Sequence, residues 1–254
     1  MQLVMLGVGS SAGTPVVGCR CRTCLSQDPR NKRTRCSAAI TLPTGEVLLI
    51  DSGPDLRQQA LRENLQRVDA VLYTHAHADH MHGIDDLRAF CQLQKKQIPL
   101  HGNAATMTHV ADKFGYTLRE PGNFWDLPVL RTQEVTGPFE LFGQPIIPIP
   151  VRHGRIDILG YRIGNLAYLT DVSEIPESSL PLLQDLDVLL LDCLRYEPHF
   201  THIHLEQSLA YASQIKARQT YFIHMTHDVE YGALAQQLPP NVHVAYDGLR
   251  LEVE

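Results

Sequence analysis

THAHADHMHG, residues 74–83, places four histidines and one aspartate within ten residues. The apolar run before it, DAVLYTH, reads as a buried strand, and DHMHGIDDLRAFCQLQ after it reads as a helix. His75, His77, Asp79 and His80 therefore fall on a strand-to-helix turn. Imidazole and carboxylate together suit Zn, Mn or Fe. Four such ligands in six residues do not all face one ion comfortably. They would divide between two ions if residues elsewhere completed each shell. Asp79 could instead be a plain cap for a helix starting at His80. That explanation covers the aspartate and none of the histidines.

Further along the chain, three more apolar runs end in a potential ligand. IIPIPVR precedes His153, LAYLT precedes Asp171 and YFI precedes His224. One histidine at a strand end is ordinarily a loop residue. Three such ends, added to the run before His75, favour a shared site on one sheet edge. The remaining pattern is β-rich with helices between. QLVMLGVG reads as a first strand, and SAAITLP with EVLLIDSG as a hairpin around Thr44-Gly45. DLRQQALRENLQ, TMTHVADKFG (ending at Gly115), LEQSLAYASQIKA and VEYGALAQQL read as helices, and SLPLLQ as a short one. IPLHG, DILGYRIG, DVLLLDC and TYFIHM read as strands, with strands closing the chain in VHVAYDGLRLEVE. Tyr116 to Leu141 is weakly patterned, with short strands and loops expected. The prolines of IIPIP predict an edge or irregular strand. No repeat or linker is visible. The order predicts layered sheets covered by helices.

The chain has 254 residues, 44% hydrophobic composition and a net charge of −6. That size buries a sizeable core. The negative charge argues against a broad nucleic-acid or anionic-membrane surface. No apolar run approaches the ~20 residues of a membrane span. The first residues lack the basic start and cleavage site of a secretory signal, so the expected compartment is the cytoplasm. Disulfides are rare there, and six cysteines at 19, 21, 24, 36, 91 and 193 do not look like a secreted framework. Cys36, Cys91 and Cys193 read as small buried residues.

GCRCRTC, residues 18–24, holds three of the six. Cys19, Cys21 and Cys24 have the tight spacing of a zinc knuckle that lacks one ligand. Cys21-x-x-Cys24 could also be a redox pair. A disulfide between any two would leave a free thiol.

The pattern His75-x-His77-x-Asp79-His80, followed in order by His153, Asp171 and His224, resembles the metal-binding motif of the metallo-β-lactamase superfamily. The resemblance extends from LGVGSSAGTP to the last strands. It implies one αββα domain over 1–254, two mixed β-sheets flanked by helices, with a Cys-rich loop at about 10–36. It implies two active-site metal ions, Zn or Mn. One would take His75, His77 and His153, the other Asp79, His80 and His224, with Asp171 bridging. Two cations roughly 3.5–4 Å apart would generate hydroxide from a shared water near neutral pH. Asp79 would help orient that water. Asp51 matches a buried aspartate that supports a ligand histidine, although a turn-forming role before Ser52-Gly53 explains it equally well.

Within the superfamily the chain is most similar to the phosphoribosyl cyclic phosphodiesterase branch of phosphonate breakdown. That branch has the same GCxCxxC and a histidine three residues after the last active-site histidine. The resemblance makes His227 the fourth ligand of a structural Zn with Cys19, Cys21 and Cys24. It gives His202 the roles of phosphate contact and acid for the leaving oxygen, with His199 and His204 as competitors. Arg195 and Tyr196 are candidate phosphate holders. Asp192 reads as a capping or turn residue. SQDPRNKRTR reads as a solvated loop, which makes Arg33 and Arg35 surface charge before substrate contacts. His82, His101, His109 and His243 match no family ligand.

The implied substrate is a small cyclic phosphodiester like 5-phosphoribosyl 1,2-cyclic phosphate, and relatives suggest a homodimer. Two alternatives stand beside this. One is a tRNA 3′-processing-type endonuclease, disfavoured by the charge and by the lack of a basic arm. The other is a non-catalytic or carrier protein like the pyrroloquinoline-quinone biosynthesis branch, disfavoured by the full ligand set.

Overall fold

The structure, a computed structural model, describes residues 1–118 and 129–253. The weakly patterned segment after Tyr116 lies partly outside the described residues.

Two sheets form the centre. The first contains β1 (Gln2–Gly7), β2 (Ser37–Thr41), β3 (Val47–Ile50), β4 (Ala70–Leu72), β5 (Ile98–Gly102) and β6 (Leu130–Glu134), side by side in that order. The second contains β7 (Phe139–Leu141), β8 (Gln144–His153), β9 (Ile156–Ile163), β10 (Leu166–Leu169), β11 (Val188–Asp192), β12 (Gln219–Ile223) and β13 (Val242–Val244), again in sequence order. The last strand, β14 (Arg250–Glu252), returns to the first sheet beside β1. Both sheets are mixed. β3 to β6 run parallel, as do β10 to β13, while β1–β2–β3 and β8–β9–β10 alternate.

The period-2 side-chain alternation of each strand divides the core. Leu3, Met5, Leu48, Ile50 and Leu72 face inward, against Ile149, Val151, Tyr161, Leu169 and Phe222 of the second sheet. Val4, Leu6, Leu49, Val71 and Tyr73 face the opposite way. They pack under α2 (Leu56–Glu63), α3 (Ala78–Met81), α4 (Leu87–Gln94) and α5 (Ala104–Phe114) through Leu56, Met81, Leu87, Phe90, Met107 and Val110. On the other side, α6 (Leu205–Ile215) covers the second sheet with Leu205, Leu209 and Ala212, and α7 (Tyr231–Ala235) adds Leu234. Each such aliphatic side chain contributes about 1.5–3 kcal/mol by leaving water. The layers are helix, sheet, sheet, helix, as the sequence predicted. Among the described residues no helix is long and apolar enough to cross a membrane.

Two expectations need correction and a third holds. The helix expected to run unbroken from Asp79 to Gln94 is split. α3 ends at Met81, and α4 begins at Leu87 after a 3-10 turn over Ile84–Asp86. A side chain on Gly83 would meet the Gly53 carbonyl at 2.0 Å, and one on Gly53 would meet the Asp79 carbonyl at 2.0 Å. These two glycines let the segment after β3 lie against the histidine turn, and the break follows from that contact. The predicted edge character of IIPIP holds for most of β8. β7 covers only Gln144–Ile146, so Pro148 and Pro150 pair on one side only, with β9. Finally, SQDPRNKRTR is not simply a solvated loop. It carries a 3-10 turn over Pro29–Asn31, and Asn31 and Arg33 are buried at 0% and 1% exposure.

Candidate metal centre

Strand ends build the site. Asp51 follows β3, His75 follows β4, His153 ends β8, Asp171 follows β10, Asp192 ends β11 and His224 follows β12. Asp51, Asp171 and His224 turn the chain with φ of 58°, 57° and 58°. That left-handed conformation is uncommon outside glycine, though Asp and His tolerate it best. Its recurrence at three site residues marks backbone strain that the fold holds in place.

The side chains meet as two sets sharing one carboxylate. His75, His77, His153 and Asp171 bring one ligand atom each within 4.8 Å of one another, and so do Asp79, His80, His224 and Asp171. Asp171 divides its oxygens between them. Its Oδ2 lies 3.9 Å from His75 Nε2 and 3.8 Å from His153 Nε2. Its Oδ1 lies 3.0 Å from His80 Nε2 and 3.4 Å from His224 Nε2. Asp79 Oδ2 stands 3.2 Å from His80 Nε2 and 3.8 Å from His224 Nε2. Asp79 is therefore not the helix cap. His77 occupies that position, and it is the exposed member of the cluster.

The far sides of the rings decide which nitrogen is free. His80 Nδ1 donates to Asp51 Oδ2 at 2.7 Å and His153 Nδ1 to the Thr201 carbonyl at 2.8 Å. Thr74 Oγ1 donates to Asp51, so it accepts from His75 Nδ1 at 3.0 Å. With Nδ1 carrying the proton, each Nε2 turns a lone pair inward. Nε2 of His75, His80 and His224 is buried with no hydrogen-bond partner. Buried polar atoms without partners are rare and costly. Here they converge with carboxylates, which is the donor set divalent cations require.

The carboxylates dominate the electrostatics of the cluster. Burial opposes charge on His80 and His224, yet Asp171, with Asp51 and Asp192 respectively, outweighs it and drives both well upward. Burial and the neighbouring His80 push His75 well down. Burial would raise Asp171 and Asp79, but the histidines around them hold both well below the carboxylate range. The carboxylates thus stay charged inside the protein and call for positive partners.

His202 completes the rim. It is buried, its Nδ1 donates to Asp192 Oδ2 at 3.0 Å, and its Nε2 lies 3.9 Å from Asp171 Oδ2. His199 stands one ring further out, 5.4 Å from His202. His204 points elsewhere, bonding Gln207 at the start of α6. Arg195 gives its Nε and Nη2 to the carbonyls of Glu197 and Pro198, so it braces its own loop. Tyr196 is half-buried against the inter-sheet core. Asp192 is more than a turn residue, since it also accepts from Val172 N at 2.8 Å. Its position after VLLL, like Asp51 after VLLI, was the available signal.

The second cluster lies at the N-terminal loop. His227 Nδ1 is 3.2 Å, 3.4 Å and 3.5 Å from the sulfurs of Cys19, Cys21 and Cys24. Tetrahedral Zn with bonds of about 2.3 Å to sulfur and about 2.0–2.1 Å to nitrogen separates S from N by roughly 3.5 Å. Each sulfur also accepts a backbone N–H, from Cys21, Cys24 and Val16 in turn. The Cys24 N–H draws the Cys21 thiol down to about 6, whereas burial pushes Cys24 up to about 11. α1 (Arg22–Leu25) shapes the knuckle, with Cys21 capping it. Arg33, taken above as surface charge, is buried beside this loop. It donates to the carbonyls of Thr226 and Val229 and to Asn31 Oδ1. Arg35 pairs with Asp55 at 3.0 Å. Cys36, Cys91 and Cys193 are buried free thiols, as expected.

Residues 47–225 match the family described as Beta-lactamase superfamily domain. The chain is 37% identical over its whole length to an octanoyltransferase of Porphyromonas gingivalis, and it spans about half (52%) of that relative's length. The crystal structure of a new diphosphatase from the PhnP family superposes with TM-score 0.93 at 41% identity, covering 100% of this chain and 98% of that one. The Zn(2+)-bound PqqB of Methylobacterium extorquens superposes with TM-score 0.82 at 20% identity, with 100% of both chains covered, a likeness of fold alone.

Proposed function

The chain belongs to the metallo-β-lactamase superfamily of metal-dependent hydrolases, and on that premise we propose that it opens a small cyclic phosphodiester of the 5-phosphoribosyl 1,2-cyclic phosphate kind. The observation that carries this reading is the division of Asp171, with Oδ1 toward one ligand set and Oδ2 toward the other. That arrangement suits two divalent ions, Zn or Mn. A third, structural Zn would sit among Cys19, Cys21, Cys24 and His227.

Bound there, a pair of divalent ions would polarise a phosphoryl oxygen and lower the pKa of water toward about 7. The protein's own groups then do the rest. Asp171 and the two histidine sets fix the spacing. Asp79, partly exposed beside His80, accepts a hydrogen bond from the attacking water and orients it. His202, whose Nε2 lies 3.9 Å from Asp171 Oδ2, delivers a proton to the leaving oxygen through that nitrogen. Asp192 holds the His202 ring by Nδ1 and so leaves Nε2 turned toward Asp171, a placement that His199 and His204 lack. Asp51 and Thr74 fix the orientation of two ligand rings.

The diphosphatase named above supports phosphoryl rather than acyl chemistry. The relative named an octanoyltransferase is about twice this length, and this chain spans 52% of it.

Phosphorus NMR on Mn- or Zn-loaded protein tests the reading. The cyclic diester resonance should give way to a monoester, and Asp171→Ala should abolish the change. A diester signal that persists with loaded wild-type protein sinks the proposal. Near-normal turnover by Asp171→Ala sinks the two-ion centre.

A further inference from the structure

Asp171 stands between two ligand sets, and one further group touches its carboxylate. Thr170 Oγ1 donates to Asp171 Oδ1 at 2.8 Å. The two residues are 1% and 2% exposed, so bulk water does not compete for that oxygen. Side chains of successive residues in an extended strand point to opposite faces. Thr170 directly follows β10, and the left-handed turn at Asp171, φ 57°, ends the alternation there. Neighbouring side chains can then meet.

The backbone after Asp171 is pinned. Val172 N donates to Asp192 Oδ2 at 2.8 Å, and the Val172 carbonyl accepts from Ile203 N at 2.6 Å. What stays free is the twist of the Asp171 carboxylate about its last bond. That torsion is intrinsically broad, so the residue type alone does not fix it. The ligand histidines do not fix it either. His80 and His224 bring Nε2 to 3.0 and 3.4 Å from Oδ1, and His153 and His75 bring theirs to 3.8 and 3.9 Å from Oδ2. In a loaded centre those nitrogens are committed to the ions and donate nothing to Asp171. The hydroxyl of Thr170 is the donor that remains.

A carboxylate can meet two cations in three ways: one oxygen for both, both oxygens for one, or one oxygen for each. An ionised carboxylate has about four lone-pair sites over its two oxygens. Thr170 occupies one of those on Oδ1, so Oδ1 cannot join both ions by itself. Turning both oxygens toward one ion would break the bond to Thr170. We propose that Thr170 is a positioning residue whose hydroxyl holds the Asp171 carboxylate with one oxygen for each ligand set. The assignment rests on the two-ion reading above and deepens it, because it names the residue that keeps the bridge from collapsing onto one ion.

Electron paramagnetic resonance of Mn-loaded protein tests it, together with Mn affinities measured by competition with a chelator. Two Mn ions joined by a carboxylate are magnetically coupled and give a signal unlike that of a lone ion, while Zn in the cysteine loop is silent. Thr170→Val removes the hydroxyl and keeps the branched shape, and Thr170→Ser keeps the hydroxyl. Wild type and Thr170→Ser should show the coupled signal. At the Mn concentration that saturates wild type, Thr170→Val should show the lone-ion signal. Its affinity for the second ion should fall by about 10- to 100-fold, with the first unchanged. A coupled signal and wild-type affinities in Thr170→Val, even with a lower melting temperature, would overturn the positioning role and leave the two-ion centre standing. Equal weakening of both ions in Thr170→Val, or Thr170→Ser behaving like Thr170→Val, would overturn it as well. A lone-ion signal from saturated wild type would sink the two-ion reading itself, and the role of Thr170 with it.

Discussion

Asp51 and His80 share a 2.7 Å hydrogen bond at zero exposure, and the same carboxylate reaches His75 through Thr74. One aspartate therefore sets the ring orientation of a histidine in each ligand set. Burial raises the Asp51 carboxyl and His80 pulls it back down, so neither partner is comfortable without the other.

Asp51→Asn isolates this role. The amide oxygen can still accept from Thr74, but the amide nitrogen then faces the Nδ1–H of His80. The ring must move its proton to Nε2, the nitrogen turned toward the cluster. Affinity for active-site metal should fall by about 10- to 100-fold, the usual cost of losing such a partner. Competition with a chelator measures it. Unchanged affinity would show that Asp51 only shapes the turn.

Arg33 makes the opposite kind of contribution, to stability. Its guanidinium is 1% exposed and held by neutral oxygens of Thr226, Val229 and Asn31. Burial draws it down to about 10 while Asp247 and Glu230 oppose the fall. Truncation to Ala strands these acceptors at about 1–3 kcal/mol each before relaxation. Urea unfolding should show Arg33→Ala destabilised by about 3–5 kcal/mol, with Arg33→Lys in between, because a point charge fills only part of the fork. A loss under about 1 kcal/mol in Arg33→Ala would mean that water replaces the side chain.

The ligand residues were legible because metal chemistry restricts them to a few residue types and strand ends leave them at the close of apolar runs. His75, His153, Asp171 and His224 all show that signature. The break after Met81 was not legible. It depends on Gly53 approaching Gly83 across 30 residues of chain, a tertiary contact that overrides helical periodicity. Arg33 was misread for a related reason. Nothing local distinguishes an arginine that turns inward from its neighbours Arg30 and Lys32 in a polar run. Its partners lie nearly 200 positions away, at 226 and 229. Asp192 fell between these cases, with the right placement but no local partner to reveal it.

The cysteine loop allows a count. Cys21 is partly exposed, and its sulfur stands 3.4 Å from His227 Nδ1. Cys21→Ser keeps the shape of the knuckle and removes one thiolate, and serine binds Zn poorly at neutral pH. Metal analysis of purified protein should then show one ion fewer per chain, with the ions at Asp171 retained. His227→Ala should give the same count. His224 lies three residues before His227 on one segment, so opening the clasp also loosens an active-site ligand. Both variants should melt earlier and turn over more slowly than wild type, yet faster than His224→Ala, which removes the ligand itself. An unchanged metal count in Cys21→Ser and His227→Ala would make the loop a thiol cluster without a metal, and Cys21-x-x-Cys24 would return as a redox pair.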